Sequence, residues 1–221
     1  MIAVLVPTYG RPDRLADVAA NIASSTETEH RVVFAVERDD TDSIAAAEHL
    51  DADLVINVHR PNYSGAITSA YEASGADYLF AGADDLRFHP GWDRAALAHM
   101  DGWVQVVGTN DLLNPFVLAG YHATHYLVDR RYLDEVGGVV DQGPGSFLFD
   151  GYGHQYTDTE FIATAKMRSR YRPCLESVVE HINAWSPKGT VDATAHKTQV
   201  TAAADSALYD SRRDLWCSIS R

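Results

Sequence analysis

The chain has 221 residues, 46% of them hydrophobic and 22% charged, which is enough to bury one substantial core and unlike a disordered polyelectrolyte. A formal charge of −13 argues against non-specific binding to a polyanion, which needs clustered Lys and Arg. Two cysteines, Cys174 and Cys217, are too few for a disulfide framework or a zinc site and read as reduced thiols. No run approaches the roughly 18 apolar residues a membrane helix needs, and residues 1–7 carry no basic leader, so a cytosolic protein is expected.

Apolar runs alternate with helix-compatible stretches, the pattern of a parallel sheet covered by helices. The first strand is expected at residues 2–6, ending in Pro7-Thr8-Tyr9-Gly10-Arg11-Pro12, a turn that must leave the sheet. A helix should follow from about Pro12, with Leu15, Val18, Ala19 and Ile22 on one face. Residues 31–36 read as a second buried strand, followed by Glu37-Arg38-Asp39-Asp40, an alanine-rich helix over 43–50 and a third strand over 54–58. After Asn62-Tyr63-Ser64-Gly65 a helix should run to about Ser74, and a strand over 78–81 then delivers Asp84 and Asp85.

That apolar run ending in two adjacent carboxylates is costly unless a positive charge sits with them. Hard cations such as Mn2+ or Mg2+ take oxygen ligands, one or two carboxylates with water and phosphate oxygens completing the shell. In open α/β sheets ligands gather at the carboxyl ends of the strands. Here those ends carry Thr8 and Tyr9, Glu37 and Asp39, and Asp84 and Asp85. A site for a nucleotide diphosphate is the expectation.

The order Val6-Pro7-Thr8-Tyr9-Gly10-Arg11-Pro12, Val36-Glu37-Arg38-Asp39-Asp40, Asn62-Tyr63-Ser64-Gly65 and Ala83-Asp84-Asp85 resembles the family 2 glycosyltransferases of the GT-A fold. The resemblance implies an α/β, Rossmann-like domain with a mostly parallel central sheet flanked by helices. It divides the chain into a nucleotide-binding half (1–100), an acceptor-binding half (101–183) and a C-terminal loop and helix (184–221). By the resemblance Pro7, Thr8, Tyr9, Glu37 and Asp39 line the nucleoside pocket, Asn62 and Ala83 lie along the donor, and Asp84 and Asp85 serve metal and diphosphate. One departure is Gly82, where the common form has an Asp two places before the metal carboxylate.

Residues 126–139 resemble the family's strand and short helix ending in a paired-glycine turn, here Gly137-Gly138. Tyr156-Thr157-Asp158-Thr159-Glu160-Phe161 resembles a Glu-Asp-x-Glu-Leu segment whose Asp is the catalytic base, with Thr157 in place of the leading Glu. Asp158 also suits the cap of a helix over 159–167. Val178-Val179-Glu180-His181 ends a strand as in members that use a following His as a metal ligand, which would suit Mn2+. Beyond Trp185, a loop precedes a helix carrying Leu208, Leu215 and Trp216, and Lys188, Lys197, Arg212 and Arg213 are candidates to offset diphosphate charge.

The implied activity is inverting transfer of a hexosyl or pentosyl group from a nucleotide diphosphate sugar to an acceptor hydroxyl, with Asp158 as base. A small glycoside, a protein side chain or a modified nucleobase in DNA would suit a compact chain without a membrane anchor. Its Ala and Asp richness resembles proteins of high-GC actinobacteria and their phages. A sugar-nucleotide nucleotidyltransferase would carry a Gly-rich basic first loop, and a dinucleotide oxidoreductase a Gly-x-Gly-x-x-Gly turn, and neither is present. A non-catalytic sugar- or nucleotide-binding module would have no use for Asp158 beside a metal site.

Overall fold

The computed structural model describes residues 1–184, 186–189 and 191–217, with the side chains of residues 195, 197 and 198 outside that description. Trp185 and the Lys197 side chain therefore lie outside the described residues.

Alternation along the first strand sets the architecture. In β1 (Ile2–Thr8) Ile2, Val4 and Val6 join one apolar cluster while Ala3 and Leu5 join another. A strand buried on both faces must be covered on both. The cluster containing Ile2 is closed by α1 (Pro12–Ser25), whose Leu15, Val18 and Ile22 are buried, together with Ala47 of α2 (Thr41–Ala47) and Trp92 of α4 (Trp92–Leu97). The opposite cluster is closed by Ile67 and Tyr71 of α3 (Tyr63–Ala73), Tyr132 and Leu133 of α6 (Arg130–Val136), and Phe161 and Ile162 of α7 (Thr157–Met167).

The sheet has eight strands in the order β3-β2-β1-β4-β7-β6-β8-β5. Here β2 is His30–Val36, β3 Asp53–Ile56, β4 Tyr78–Ala81, β5 Leu86–Phe88, β6 Val106–Asn110, β7 Tyr126–Asp129 and β8 Tyr171–His181. Pairings β1–β2, β1–β4, β2–β3 and β6–β8 are parallel, and β4–β7, β6–β7 and β5–β8 antiparallel. The sheet is thus mostly parallel, as expected, with β7 antiparallel to both its neighbours in the middle and β5 antiparallel to β8 at one edge. The crossover order reverses beside β1 and β4, and such a switch point opens a crevice at the strand ends.

The short strand β5 is not foreseen by the sequence pattern, because three residues are too few to show alternation. It has a large consequence for the site. Its antiparallel register sets Leu86 opposite His181, and Ile182 N donates to Asp85 O at 2.8 Å, so the acidic pair and the end of β8 are pinned together.

The paired-glycine turn after α6 is required by space. A Cβ on Gly137 would lie 1.8 Å from Gly143 O, and one on Gly138 2.0 Å from Phe147 O. No described helix is long and apolar enough to cross a membrane. The tail forms α8 (Ala193–Val200), α9 (Ala202–Arg212) and α10 (Asp214–Cys217), with Trp216 buried against Tyr209.

Candidate functional site

Two polar centres lie beyond the carboxyl ends of the strands, one on the acidic pair and one on Asp158. In the first, Thr8 Oγ1 donates to Asp84 Oδ2 at 2.8 Å and Arg11 Nη1 donates to Asp84 Oδ1 at 2.7 Å. Asp84 is 5% exposed, and burial together with the Asp85 charge pushes its carboxyl up against the opposing pull of Arg11. Its oxygens are therefore spoken for by Thr8 and Arg11.

Asp85 differs. Its Oδ1 is buried without a hydrogen-bond partner among the described residues, and His181 Nε2 lies 3.4 Å away without hydrogen-bond alignment. Burial opposes ionisation of Asp85, but His181, Arg11 and His125 together hold the carboxyl well below the usual carboxylate range. Behind His181 stands His125, ring centroids 4.8 Å apart. The His125 Nδ1 lies 2.9 Å from Ala81 O, which assigns it the proton and leaves Nε2 as a buried lone pair without a partner among the described residues. Burial and His181 push the His125 imidazole down to about 4, so it is neutral at physiological pH.

The buried, ionised Oδ1 of Asp85, without a hydrogen-bond partner among the described residues, fits a cation, whereas His181, against its burial, is raised by Asp85 and would have to give up its proton to ligate. Asp85 Oδ1 and His181 Nε2, 3.4 Å apart, are the atoms that would hold the cation. The expected trio Asp84, Asp85 and His181 lies together at the strand ends, with Asp84 differently engaged. Among the described residues these three do not close into a tight ligand cluster, because Asp84 is drawn to Thr8 and Arg11, so Asp85 and His181 form the pair that could hold a metal.

The group that does close takes Cys174 and Glu176 from the start of β8 and His99 from the turn after α4. Cys174 is seven residues from His181 along that strand, roughly 23 Å at strand rise. Burial pushes the Cys174 thiol up, which disfavours the thiolate. Both cysteines are free thiols.

The other expected donor residues divide. Pro7 and Tyr9 are half-buried in the first loop, and Tyr9 O accepts from Thr194 Oγ1 at 3.0 Å. Glu37 is half-buried and accepts from Asn57 Nδ2 at 2.7 Å. Ala83 is half-buried beside the acidic pair, whereas Asp39 is exposed; its neighbour Asp40 makes the contact to the first loop, accepting from Gly10 N at 2.6 Å. Asn62 is engaged within the fold. Its Oδ1 caps α3 through Gly65 N at 2.8 Å, and its Nδ2 donates to Asp150 O and Tyr152 O at 3.0 and 2.8 Å, so its amide serves the fold.

The departure at Gly82 has a steric cause. A Cβ there would lie 2.8 Å from Leu5 O, and Gly82 N donates to that same carbonyl at 2.9 Å. An Asp cannot be added without parting β4 from β1.

The guanidinium groups that reach the acidic pair come from Arg11, at the end of the first loop, and Arg14 in the first turn of α1, not from the tail. Arg11 also donates to both oxygens of Asp192 at 2.8 and 3.0 Å, and Arg14 Nη2 reaches Asp192 Oδ2 at 3.0 Å. Of the expected tail cations, Lys188 pairs with Glu180 at 2.6 Å, Arg213 lies 3.8 Å from Asp210, and Arg212 binds Glu160 and Asp141.

The second centre is a cavity of about 580 Å³ lined by Asn114, Phe116, Tyr121, His122, Gln155, Tyr156, Asp158, Thr159 and Ala202. His122 Nε2 donates to Asp158 Oδ2 at 3.0 Å. Burial pushes Asp158 up, but the bond from His122 and its charge outweigh that and hold the carboxyl below its ordinary value. Burial likewise opposes a charged His122, and Asp158 with Asp111 overcomes it, raising that imidazole.

Asp158 does not cap α7, a correction to the expected cap. The residue before the helix is Tyr156, in the left-handed region at φ 70° and stacked on Tyr209 at 4.7 Å. Asp158 sits in the first turn and accepts from Thr159 N at 2.8 Å, leaving its other oxygen for His122. Glu160 is 1% exposed and bound by Tyr152 Oη and Arg212, so it is a structural carboxylate. Asp150 is exposed beside a separate cavity.

Sequence reasoning missed His122, His125 and Asp111. Asp111 organises the approach to the cavity, accepting from Leu113 N, Asn114 N and Thr124 Oγ1. Nothing in their spacing marks them, since each meets its partner only through the sheet.

No family model matches the chain, and no curated protein matches it in sequence. Solved structures do. A mannosyltransferase from Pyrobaculum calidifontis, in complex with GDP-Man and Mn2+, has a TM-score of 0.62 at 17% identity, covering 95% of this chain and 75% of that one. Glucosyl-3-phosphoglycerate synthase from Mycobacterium tuberculosis, in complex with Mn2+, UDP and glucosyl-3-phosphoglycerate, has a TM-score of 0.60 at 14% identity, covering 93% and 79%. A mycobacterial protein has a TM-score of 0.59 at 16% identity, covering 93% and 74%. At these identities the likeness shows the fold, that of the GT-A glycosyltransferases.

Proposed function

We propose that this protein is a metal-dependent glycosyltransferase that moves a sugar from a nucleotide diphosphate sugar to an acceptor hydroxyl with inversion. The observation that carries the reading is the unsatisfied, buried Oδ1 of Asp85 set 3.4 Å from His181 Nε2 at the end of the strand crevice. Asp85 and His181 hold Mn2+ or Mg2+, and Arg11 and Arg14 face the diphosphate. Pro7, Thr8, Tyr9 and Glu37 flank the nucleoside. Structures of the same fold that hold Mn2+ with GDP-Man or UDP support this choice of ligands.

When bound, the metal neutralises negative charge that develops on the departing diphosphate oxygen, worth several kcal/mol. Asp158 accepts the acceptor's hydroxyl proton while that oxygen forms its bond to the anomeric carbon. The bond from that carbon to the diphosphate oxygen breaks, and the electron pair leaves with the nucleotide. His122, donating to the far oxygen of Asp158, orients the carboxylate and keeps it ionised.

A thermal-shift series with uridine and guanosine diphosphates and their sugars, with and without Mn2+, tests the donor half. A ligand at 100 times its Kd stabilises the fold by about 2.7 kcal/mol, so at least one nucleotide should raise Tm only when metal is present. Proton NMR of the first product formed tests the stereochemistry. Retained configuration would remove Asp158 from the role of base.

A further inference from the structure

The cavity at Asp158 has a composition that selects its occupant. We infer that the acceptor is a neutral glycoside, its hydroxyl presented to Asp158 and a sugar face laid on Phe116 and Tyr121; this rests on the glycosyltransferase reading above.

Charge is the first argument. None of the described residues lining the cavity is Lys or Arg. Lys166, which reaches the cavity wall at Tyr121, is committed there, with Nζ donating to Tyr121 O at 2.6 Å and lying 5.4 Å from the centre of the Tyr171 ring. Besides the phenols of Tyr121 and Tyr156, the ionisable lining groups are His122 and Asp158, already paired at 3.0 Å. That pair has a net charge of zero, or −1 once His122 loses its proton. A phosphate or carboxylate on the acceptor would therefore give up its water without gaining a counter-charge, which is a large penalty.

Exposure is the second. Phe116 is 65% exposed and Tyr121 71%, both on the wall of the cavity. Large rings held in water on the short helix α5 (Pro115–Leu118) and the turn after it, bordering a polar cavity, are best explained by a ligand with an apolar face. That segment is anchored to present them. Asn114 Oδ1 accepts from Phe116 N at 2.9 Å, Tyr121 N donates to Phe116 O at 2.8 Å, and Asp111 fixes the segment's start.

Polar chemistry is the third. Asn114 and Gln155 bring side-chain amides and Thr159 a hydroxyl, so the wall offers uncharged donors and acceptors between rings. Rings for one face and amides for the edge match a pyranoside, which has C–H groups on its faces and hydroxyls around its rim. The volume lies within the usual range for small-molecule sites, about 300–1,000 Å³, and admits a mono- or disaccharide.

The test uses the full chain with Mn2+ and whichever nucleoside diphosphate binds. Saturation-transfer NMR is run with methyl glucopyranosides, methyl mannopyranosides and maltose, with phosphoglyceric acid as an anionic probe and a short single-stranded oligodeoxynucleotide as a polyanionic one. Neutral glycosides should receive magnetisation from the protein, and the two anions should not. Phe116→Ala and Tyr121→Ala should each weaken glycoside binding by about 3- to 10-fold. Their melting temperatures and nucleotide affinity should stay unchanged, since both rings are exposed and distant in role from the metal pair. Stronger binding of phosphoglyceric acid or of the oligonucleotide, no binding of any glycoside, or indifference to both ring substitutions would overturn the inference while leaving metal-dependent nucleotide binding intact. Loss of that nucleotide binding in the parent chain would instead count against the glycosyltransferase reading itself.

Discussion

The donor crevice and the acceptor cavity solve opposite electrostatic problems within one fold. Around Asp84 and Asp85 the chain gathers Arg11, Arg14, His181 and Asp192, alternating charges that leave Asp85 unsatisfied for a cation. Around Asp158 it gathers one imidazole and a wall of rings and amides. On the proposed reading the crevice would take a diphosphate and a metal, whose charges are large and fixed, and the cavity a group whose only charge change is one proton. A single carboxylate thus does different chemistry in each place because its neighbours differ.

The substitution expected to separate the two regions most strongly is Asp158→Asn. The amide retains the size and the contact to Thr159 but cannot accept a proton, so turnover should fall by about 10²–10⁴ while Mn2+-dependent nucleotide affinity stays the same. Steady-state kinetics on the true acceptor, with calorimetry of nucleotide binding, decides it. Full turnover would show that the cavity supplies no base.

Arg212→Ala should break the acceptor side by a different route. Arg212 is 10% exposed and donates to both oxygens of Glu160, itself nearly fully buried, and to both of Asp141. Removing it leaves Glu160 buried with Tyr152 alone, a change that costs about 3–5 kcal/mol in such pairs. Urea unfolding at pH 7 measures this directly. A loss below about 1 kcal/mol would mean that α9 is held by its apolar contacts instead.

How legible each region is in the sequence follows from how it is assembled. The donor crevice sits at the ends of β1, β2 and β4, and a strand end can be read from an apolar run that stops, so Thr8, Asp84 and Asp85 stand out. Tertiary space decides what the pattern cannot. Gly82 is fixed by Leu5 O across the sheet, Asn62 is consumed by α3 and the 150–152 loop, and Asp84 is taken by Arg11 rather than by the metal position. The acceptor cavity joins 114–122, 155–159 and residue 202, separated by long stretches of chain. His122 meets Asp158 across 36 positions, and no local periodicity encodes that pairing. The three-residue β5, too short to announce itself, is what brings Asp85 to His181.

On the donor side, Asp85→Asn and Asp84→Asn should part company. Even partners behind the ligands of a metal site are worth about 10- to 100-fold in metal affinity, so Asp85→Asn should weaken Mn2+-dependent nucleotide binding by about 100-fold. Asp84→Asn keeps the contact from Thr8 and loses the charge facing Arg11, and its effect should be smaller and present without metal as well. Calorimetric titrations of both variants with and without Mn2+ distinguish these. Equal, metal-independent losses would move the ligand assignment back to Asp84.

The smallest effect expected, and the one that reads the Asp158–His122 pair itself, is a dependence of stability on pH. His122 is raised in the folded state, so its contribution is fully present below the unfolded imidazole value near 6.5 and is lost as pH rises through the higher folded value. Asp158 is lowered, so its contribution is present above the ordinary carboxylate value near 3.9 and is lost as pH falls through the lower folded one. Between those limits the pair is ionic, and with side chains 14% and 25% exposed it should contribute about 1 kcal/mol. His122→Gln keeps a donor for Asp158 without the charge. The stability gap between parent and variant, measured by urea unfolding, should therefore be about 1 kcal/mol at pH 5.5 and shrink as the pH is raised above the ordinary imidazole value. A gap of the same size below and above that value would mean that His122 holds Asp158 as a neutral donor, and the carboxylate would then face its acceptor without a cation behind it.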